Sequence, residues 1–331
     1  MRYLFINSVY GLGSTGKIVA DKCKELKNEG NVCAAAYGRK CADNGAAQLI
    51  KIGTKADYLF HAVMTRLFDL NGYCSRIATY KLISQIEHFK PAVIWLHNLH
   101  GYYLNIGILF KWLKEHPDIK VFWTLHDCWA FTGHCAHFSA VGCDHWLFGC
   151  GSCPQLREYP KTYGVDCSKK NYSYKHNCFS GIADLTIIVP SEWLAQLVKC
   201  SFLKEYRIKI VHNQIDTNIF KPTPSNFRER YGLTDKIIIL GVSNVWNKDK
   251  GMFDFCRLRE RLDDRFAIVL VGVNEKQKKE LLPQIIALPR TENARELAEI
   301  YSAADIFVNP THQDNYPTVN LEARACGTPV I

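Results

Sequence analysis

The densest chemistry in the sequence lies in Asn309-Pro310-Thr311-His312-Gln313-Asp314-Asn315-Tyr316-Pro317-Thr318-Val319-Asn320-Leu321-Glu322-Ala323. It runs from the end of an apolar stretch through a proline-containing turn into a helical pattern. Two carboxylates, Asp314 and Glu322, are thereby expected near one helix N-terminus, whose free N–H groups suit a phosphate. An ordinary capped helix start would give the same pattern. A second segment, Asn244-Val245-Trp246-Asn247-Lys248-Asp249-Lys250-Gly251, also links a strand to a helix. Lysines aimed from such a turn could neutralise a departing diphosphate; the bland reading is a solvated basic loop.

Histidines mark strand ends in the first half of the chain. His97-Asn98-Leu99-His100 follows the run Val93–Leu96, and Thr124-Leu125-His126-Asp127 ends another strand. An imidazole there could donate to a sugar hydroxyl or a phosphate, with the neighbouring Asp127 setting the tautomer of His126. The N-terminal turn Gly11-Leu12-Gly13-Ser14-Thr15-Gly16-Lys17 opens a helix. Its glycines fit a dinucleotide loop, but Tyr37-Gly38-Arg39 lacks the acidic ribose ligand. It also approaches a triphosphatase P-loop, but Ile18 stands where Ser or Thr should hold magnesium. A loop touching the acceptor or a donor phosphate, and a tight turn without ligand, complete the alternatives.

Between about 127 and 165 lies a Cys/His-rich insertion containing Cys128, Cys135, Cys143, Cys150 and Cys153 with His134, His137 and His145. The spacing of Cys150 and Cys153 is that of a zinc knuckle, which Cys135 and Cys143 could complete as a structural site. Disulfides, or free thiols in a small aromatic core of Trp129, Phe131, Phe138, Trp146 and Phe148, are the other readings.

These residues must be positioned by a framework. Short apolar runs alternate with amphipathic segments, the pattern of βαβ units in parallel sheets. Strands are expected near 2–7, 32–37, 92–96, 119–124, 184–189 and 207–211, then near 236–242, 266–272, 285–288, 305–309 and 328–331. Helices are expected at Thr15–Asn28, Tyr102–Lys114, Ser191–Lys199, Met252–Leu262 and Ala294–Ala303, among others. Pro222 and Pro224 place a linker near 220, giving an N-terminal domain at 1–220 and a C-terminal one at 221–331. In an α/β protein of two such Rossmann-like domains, ligand sites at strand C-termini would face each other across a cleft. The final Thr328-Pro329-Val330-Ile331 begins a strand without its covering helix, so the second domain is expected to be truncated.

With 331 residues and 47% hydrophobic content, the chain can bury cores of this size, and aromatic residues run along its whole length. Disorder is thereby excluded. With one basic residue and a short apolar run, the N-terminus is expected to be a first strand rather than a signal peptide, and no run of about 18 apolar residues is present to span a bilayer. A cytoplasmic protein with mostly reduced cysteines is expected. The formal net charge of +9 suits an anionic partner: a nucleotide diphosphate or a phospholipid surface. No nucleic-acid motif or long basic run is present, so nucleic acid is not an expected partner.

The motifs together resemble the family-four retaining glycosyltransferases of the GT-B fold. Asp314-Asn315-Tyr316-Pro317 stands where that family has Glu-Gly-Phe-Pro, and Glu322-Ala323 and Cys326-Gly327-Thr328-Pro329-Val330 follow in its order. The resemblance implies that Asp314 lies against the donor sugar, Glu322 binds the ribose hydroxyls, and N–H groups near Thr318 and Val319 meet the diphosphate. Lys250 matches the family's Lys before Gly; Val245 stands in place of its usual Arg, leaving Lys248 as a substitute. His126 matches the family's N-terminal histidine, and Gly11, Gly13, Ser14 and Thr15 match its glycine-rich loop. Val189-Pro190-Ser191 and Asn213-Gln214-Ile215-Asp216 also fit. The insertion after Asp127 resembles a subgroup building bacterial capsular and exopolysaccharides.

The expected activity is therefore hexosyl transfer from a nucleoside-diphosphate sugar to a lipid-linked or saccharide hydroxyl, with retention and without a catalytic metal. His126, Asp127 and Asp314 would be catalytic. Gly13, Asn244, Lys248, Lys250, Thr318, Val319 and Glu322 would bind the donor, with Gly11, Ser14, Thr15, His97 and His100 on the acceptor side. Basic residues would suit peripheral binding at the inner face of the plasma membrane. A nucleotide-sugar epimerase or hydrolase, and a non-catalytic zinc-stabilised binding module, are the competing readings.

Overall fold

The computed structural model describes residues 1–331, apart from the side chain of Lys248. Two compact units appear, Met1–His212 and Asn213–Ile331. The break precedes residue 220 because Phe220 is already committed to the second core, its ring 6.3 Å from that of Tyr301. Pro222 and Pro224 thus lie inside the second unit.

The first unit is a seven-stranded parallel sheet: β1 (Arg2–Asn7), β2 (Val32–Tyr37), β3 (Gln48–Lys51), β4 (Val93–Leu96), β5 (Lys120–Thr124), β6 (Leu185–Val189) and β7 (Arg207–Ile210). Its spatial order is β3-β2-β1-β4-β5-β6-β7. Six helices surround it: α1 (Gly13–Asn28), α2 (Lys55–Phe68), α3 (Arg76–Phe89), α4 (Ile106–Lys114), α5 (Ser168–Phe179) and α6 (Glu192–Cys200). The period-two alternation of a strand divides its side chains between two cores: Leu4 and Ile6 pack with Ile94, Leu96 and α3, while Phe5 packs with Val19 and Cys23 of α1. β3 has no counterpart among the expected strands: it is an edge strand in which only Ile50 is buried, too short to show alternation.

In the second unit, β8 (Ile237–Val242), β9 (Phe266–Val271), β10 (Ile285–Leu288) and β11 (Ile306–Phe307) form a parallel sheet ordered β10-β9-β8-β11. Helices α7 (Phe227–Arg230), α8 (Met252–Arg259), α9 (Glu275–Lys278), α10 (Ala294–Ala303) and α11 (Thr318–Ala325) complete it. Residues 328–331, expected as a strand, contribute a single bridge from Val330 to Phe307. No helix among the described residues is long and apolar enough to cross a membrane.

Each sheet reverses its strand order once, between β1 and β4 in the first and between β8 and β11 in the second. The loops leaving the C-terminal ends of such a pair diverge to opposite faces, opening a crevice for ligands. The chemistry-bearing segments leave these four strands, and β5 beside β4.

Candidate functional site

In the second unit, the turn after β8 and the loop after β11 are tied together. His312 N–H donates to the Asp249 carbonyl at 2.8 Å, and Thr311 Oγ1 donates to the same oxygen at 3.2 Å. Gly251, with φ of +68°, closes the turn so tightly that a Cβ there would stand 2.4 Å from the Pro310 carbonyl oxygen. A side chain would push these segments apart. Their approach lets Lys250 Nζ donate to Asp314 Oδ2 at 2.5 Å, both side chains about three-quarters buried or slightly less, at 31% and 25% exposure.

Helix α11 starts at Thr318 after Pro317, with no side chain capping its first turn. Its N–H groups, including those of Thr318 and Val319, carry the partial positive charge of a helix start. Asn309 at the end of β11 donates to Asn320 Oδ1 at 2.8 Å, and Asn213 donates to the Tyr316 carbonyl at 2.9 Å, fixing the loop on both sides. Half-buried Glu322 accepts from the Tyr301 hydroxyl at 3.1 Å. Asn244 is exposed at the end of β8, and the Lys248 side chain lies outside the described residues.

In the first unit, His97 and His126 come from the ends of β4 and β5, with His97 Nδ1 3.0 Å from His126 Nε2 and the rings stacked. The Asp127 carboxylate accepts from His100 Nε2 at 2.8 Å, with the Tyr159 hydroxyl 2.9 Å from the other ring nitrogen. Burial alone would raise the Asp127 carboxyl, but the charge and hydrogen bond of His100 hold it well below the usual range.

The glycine-rich turn joins this cluster through Asn7 at the end of β1. Asn7 Oδ1 accepts from the Asn98 N–H at 3.2 Å, and its amide nitrogen lies 3.5 Å from Thr15 Oγ1. Gly11 and Gly13 have positive φ, and α1 begins without a side-chain cap, leaving Ser14 exposed near the helix start.

Burial pushes the imidazoles of His61 and His126 down to about 4, and that of His97 well below 6.5. The unfolded chain binds protons at these positions below about 6.5, whereas the folded chain does not until near 4. Unfolding therefore takes up protons in this window, so stability is complete above about 6.5 and falls with pH towards 4. Each of His61 and His126 is expected to contribute on the order of 2 kcal/mol to that loss. Urea unfolding midpoints at pH 7.5 and 5 measure it, and equal midpoints would contradict neutral buried imidazoles.

Among the described residues, no three or more His, Cys, Asp or Glu close into a ready metal site. All fourteen cysteines are free thiols. Cys135, Cys143, Cys150 and Cys153 nevertheless line one small cavity within the insertion, beside an aromatic core in which the rings of Phe138 and Trp146 stack at 5.1 Å.

Residues 236–331, which contain the Lys250–Asp314 pair and Glu322, match the family described as "Glycosyl transferases group 1". Over 292 residues the chain is 27% identical to the putative colanic acid biosynthesis glycosyl transferase WcaC of Escherichia coli K12, covering 86% of this chain and 69% of that protein. Over residues 236–331 the chain is similar to the group 1 glycosyltransferases.

The chain is also 27% identical over 270 residues to a D-inositol 3-phosphate glycosyltransferase of Mycobacteroides abscessus, across 76% of this chain and 56% of that one. It thus spans about half to two-thirds of the length of these relatives. Among solved structures, sucrose-phosphate synthase from Thermosynechococcus elongatus superposes with a TM-score of 0.67 at 14% identity, over 99% of this chain and 80% of that one. Anabaena HepE, in complex with UDP and glucose, gives 0.61 at 16% identity over 100% and 80%. The fold is GT-B, with its two Rossmann-like domains.

Several groups in these two separate clusters carry no local signature in the sequence. Tyr301 is spaced along α10 as a core aromatic, and only the tertiary fold brings its hydroxyl to Glu322. Asn7 and Tyr159 are likewise joined to the histidine cluster by contacts 91 and 59 residues apart in sequence.

Proposed function

We propose that this glycosyltransferase moves a hexosyl group from a nucleoside-diphosphate sugar to a hydroxyl acceptor with retention of anomeric configuration. The observation that carries the reading is the Lys250–Asp314 pair at the β8/β11 crevice, beside the uncapped start of α11. A cation and a helix N-terminus at one strand-order reversal form a receptor for a diphosphate. As the bond from the anomeric carbon to the diphosphate oxygen breaks, Lys250 and the N–H groups of Thr318 and Val319 hold the charge that develops on the leaving group. The acceptor oxygen bonds to the same face, and its proton passes to the departing diphosphate. Asp314 orients Lys250 and faces the sugar; Glu322 accepts from the ribose hydroxyls. The positive charge comes from protein groups, so no catalytic metal is required. HepE binds UDP and glucose, which supports a nucleotide-sugar donor, and the likeness to WcaC supports a role in bacterial surface polysaccharide synthesis. Proton NMR of the product's anomeric coupling tests the stereochemistry; an inverted product would sink the retaining mechanism.

In the same reading, the first unit binds the acceptor through the Gly11–Thr15 turn, His97, His100 and His126, at an anionic cytoplasmic membrane surface. Helix α2 supports this. It buries only His61, Ala62 and Thr65 and exposes Leu59, Phe60, Val63, Leu67 and Phe68. Such an outward apolar face suits the lipid boundary. Lys55 and Arg66 are exposed on the same helix, while its one acid, Asp57, is engaged by the Thr54 cap. Leu59→Ser/Leu67→Ser is expected to lower sedimentation with phosphatidylglycerol vesicles at least about five-fold, since two large apolar side chains contribute roughly 1.5–3 kcal/mol each on full burial. Unchanged sedimentation would remove α2 from the membrane contact.

A further inference from the structure

We propose that Cys135, Cys143, Cys150 and Cys153 form a structural zinc site that pins the insertion at about 127–165 beside the histidine cluster. The four thiols line a single cavity of about 10 Å³, although they are spread over 19 positions of sequence, 135 to 153. No disulfide joins them. Cys150, Gly151 and Ser152 have φ of +58°, +118° and +47°, so three successive left-handed residues bend the chain and bring the sulfurs of Cys150 and Cys153 to the same cavity. Two of these residues carry a Cβ, which makes that conformation unfavourable without an added constraint.

The surroundings also give the cluster polar neighbours. The Gly133 N–H donates to Cys150 Sγ at 3.1 Å, the kind of backbone bond that orients a ligating sulfur. Gly133 is boxed in: a Cβ would stand 2.0 Å from the Ser168 carbonyl oxygen and 2.9 Å from Cys150 Cβ, so only glycine brings this amide to the sulfur. Lys175 is 2% exposed, and its ammonium donates to the carbonyls of Trp129 and Thr132 at 2.8 and 3.0 Å. Thr132 itself lines the cavity. Burial pushes this group down from the usual lysine range to about 7, against the opposing charges of Asp69 and Asp127.

Soft thiolate ligands select zinc among the common divalent ions. Binding forms four Zn–S bonds at about 2.3 Å and releases the protons of the thiols that were protonated, without oxidation or reduction. The hydrogen bond between the Cys135 and Cys153 thiols gives way to two of those bonds.

The test is metal analysis of the full chain purified without added metal, followed by cobalt titration of the chelator-treated protein. About one zinc per chain is expected, with X-ray absorption showing about four sulfur neighbours and cobalt giving thiolate charge-transfer bands. Cys143→Ser and Cys153→Ser should lower zinc content at least about ten-fold, whereas Cys200→Ser, on an exposed cysteine outside the cavity, should leave it unchanged. If the cluster variants do not fold, the cobalt spectrum of the parent decides. A chain that carries no zinc, takes up neither zinc nor cobalt, and keeps these cysteines as freely reacting thiols or as disulfides would overturn the proposal.

Discussion

Lys250→Met is expected to reduce turnover by on the order of 10²–10³, because a preorganised donor aimed at developing charge is worth that much in the chemical step. The ammonium is positioned by Asp314 at 2.5 Å and by the tight turn at Gly251, so it has little reorganisation left to make when charge builds on the diphosphate. Methionine keeps most of the stem and removes the charge. Donor binding should weaken less than turnover falls, since the diphosphate gains most of its extra charge on the way to the transition state. Steady-state kinetics with thermal unfolding of the same variant separates this from loss of fold. A folded variant turning over within about three-fold of the parent would remove Lys250 from the leaving-group role.

Glu322→Ala is expected to weaken nucleotide-sugar binding by about ten-fold or more. Hydrogen bonds to a charged group contribute roughly 1.5–3 kcal/mol, and each 1.4 kcal/mol is a factor of ten in affinity. The carboxylate is held by the Tyr301 hydroxyl, which is itself buried in the second core. Tyr301→Phe should therefore produce a smaller loss of affinity, by loosening Glu322 without removing it. Calorimetry with a set of nucleotide sugars measures both. Equal affinity in parent and Glu322→Ala would end the ribose assignment.

The framework was legible because buried parallel strands write themselves as apolar runs. Ile237–Val242 and Phe266–Val271 are buried almost throughout and were readable within a residue or so. β3 was not, since an edge strand of four residues with one buried side chain shows no period. The prolines put the linker near 220, where regular structure stops, whereas the compact units divide at 212/213 and Phe220 packs in the second core.

For the candidate site, sequence supplied the residue types and their strand ends but not their partners. Lys250 and Asp314 are 64 residues apart and meet only because β8 and β11 are neighbours in the sheet. The adjacency of His126 and Asp127 suggests a pair, whereas the structure brings His97 to His126 and His100 to Asp127. Helix α2 shows the same limit. Its apolar residues would suggest burial, but the structure turns its polar and small side chains inward, where His61 lies 2.9 Å from Ser75 Oγ and accepts from the Gly72 N–H at 3.0 Å.

The central claim, sugar transfer from a nucleoside diphosphate at the β8/β11 crevice, is tested most directly by nucleotide release. The full-length protein is offered a panel of nucleoside-diphosphate sugars, with and without saccharide and lipid-linked acceptors, alongside Lys250→Met. The account predicts release from at least one donor that depends on acceptor and falls by about two orders of magnitude or more in the variant. Release without acceptor would indicate a hydrolase, and conversion of the donor sugar without release an epimerase. Either result, or acceptor-dependent release that Lys250→Met leaves intact, would contradict it.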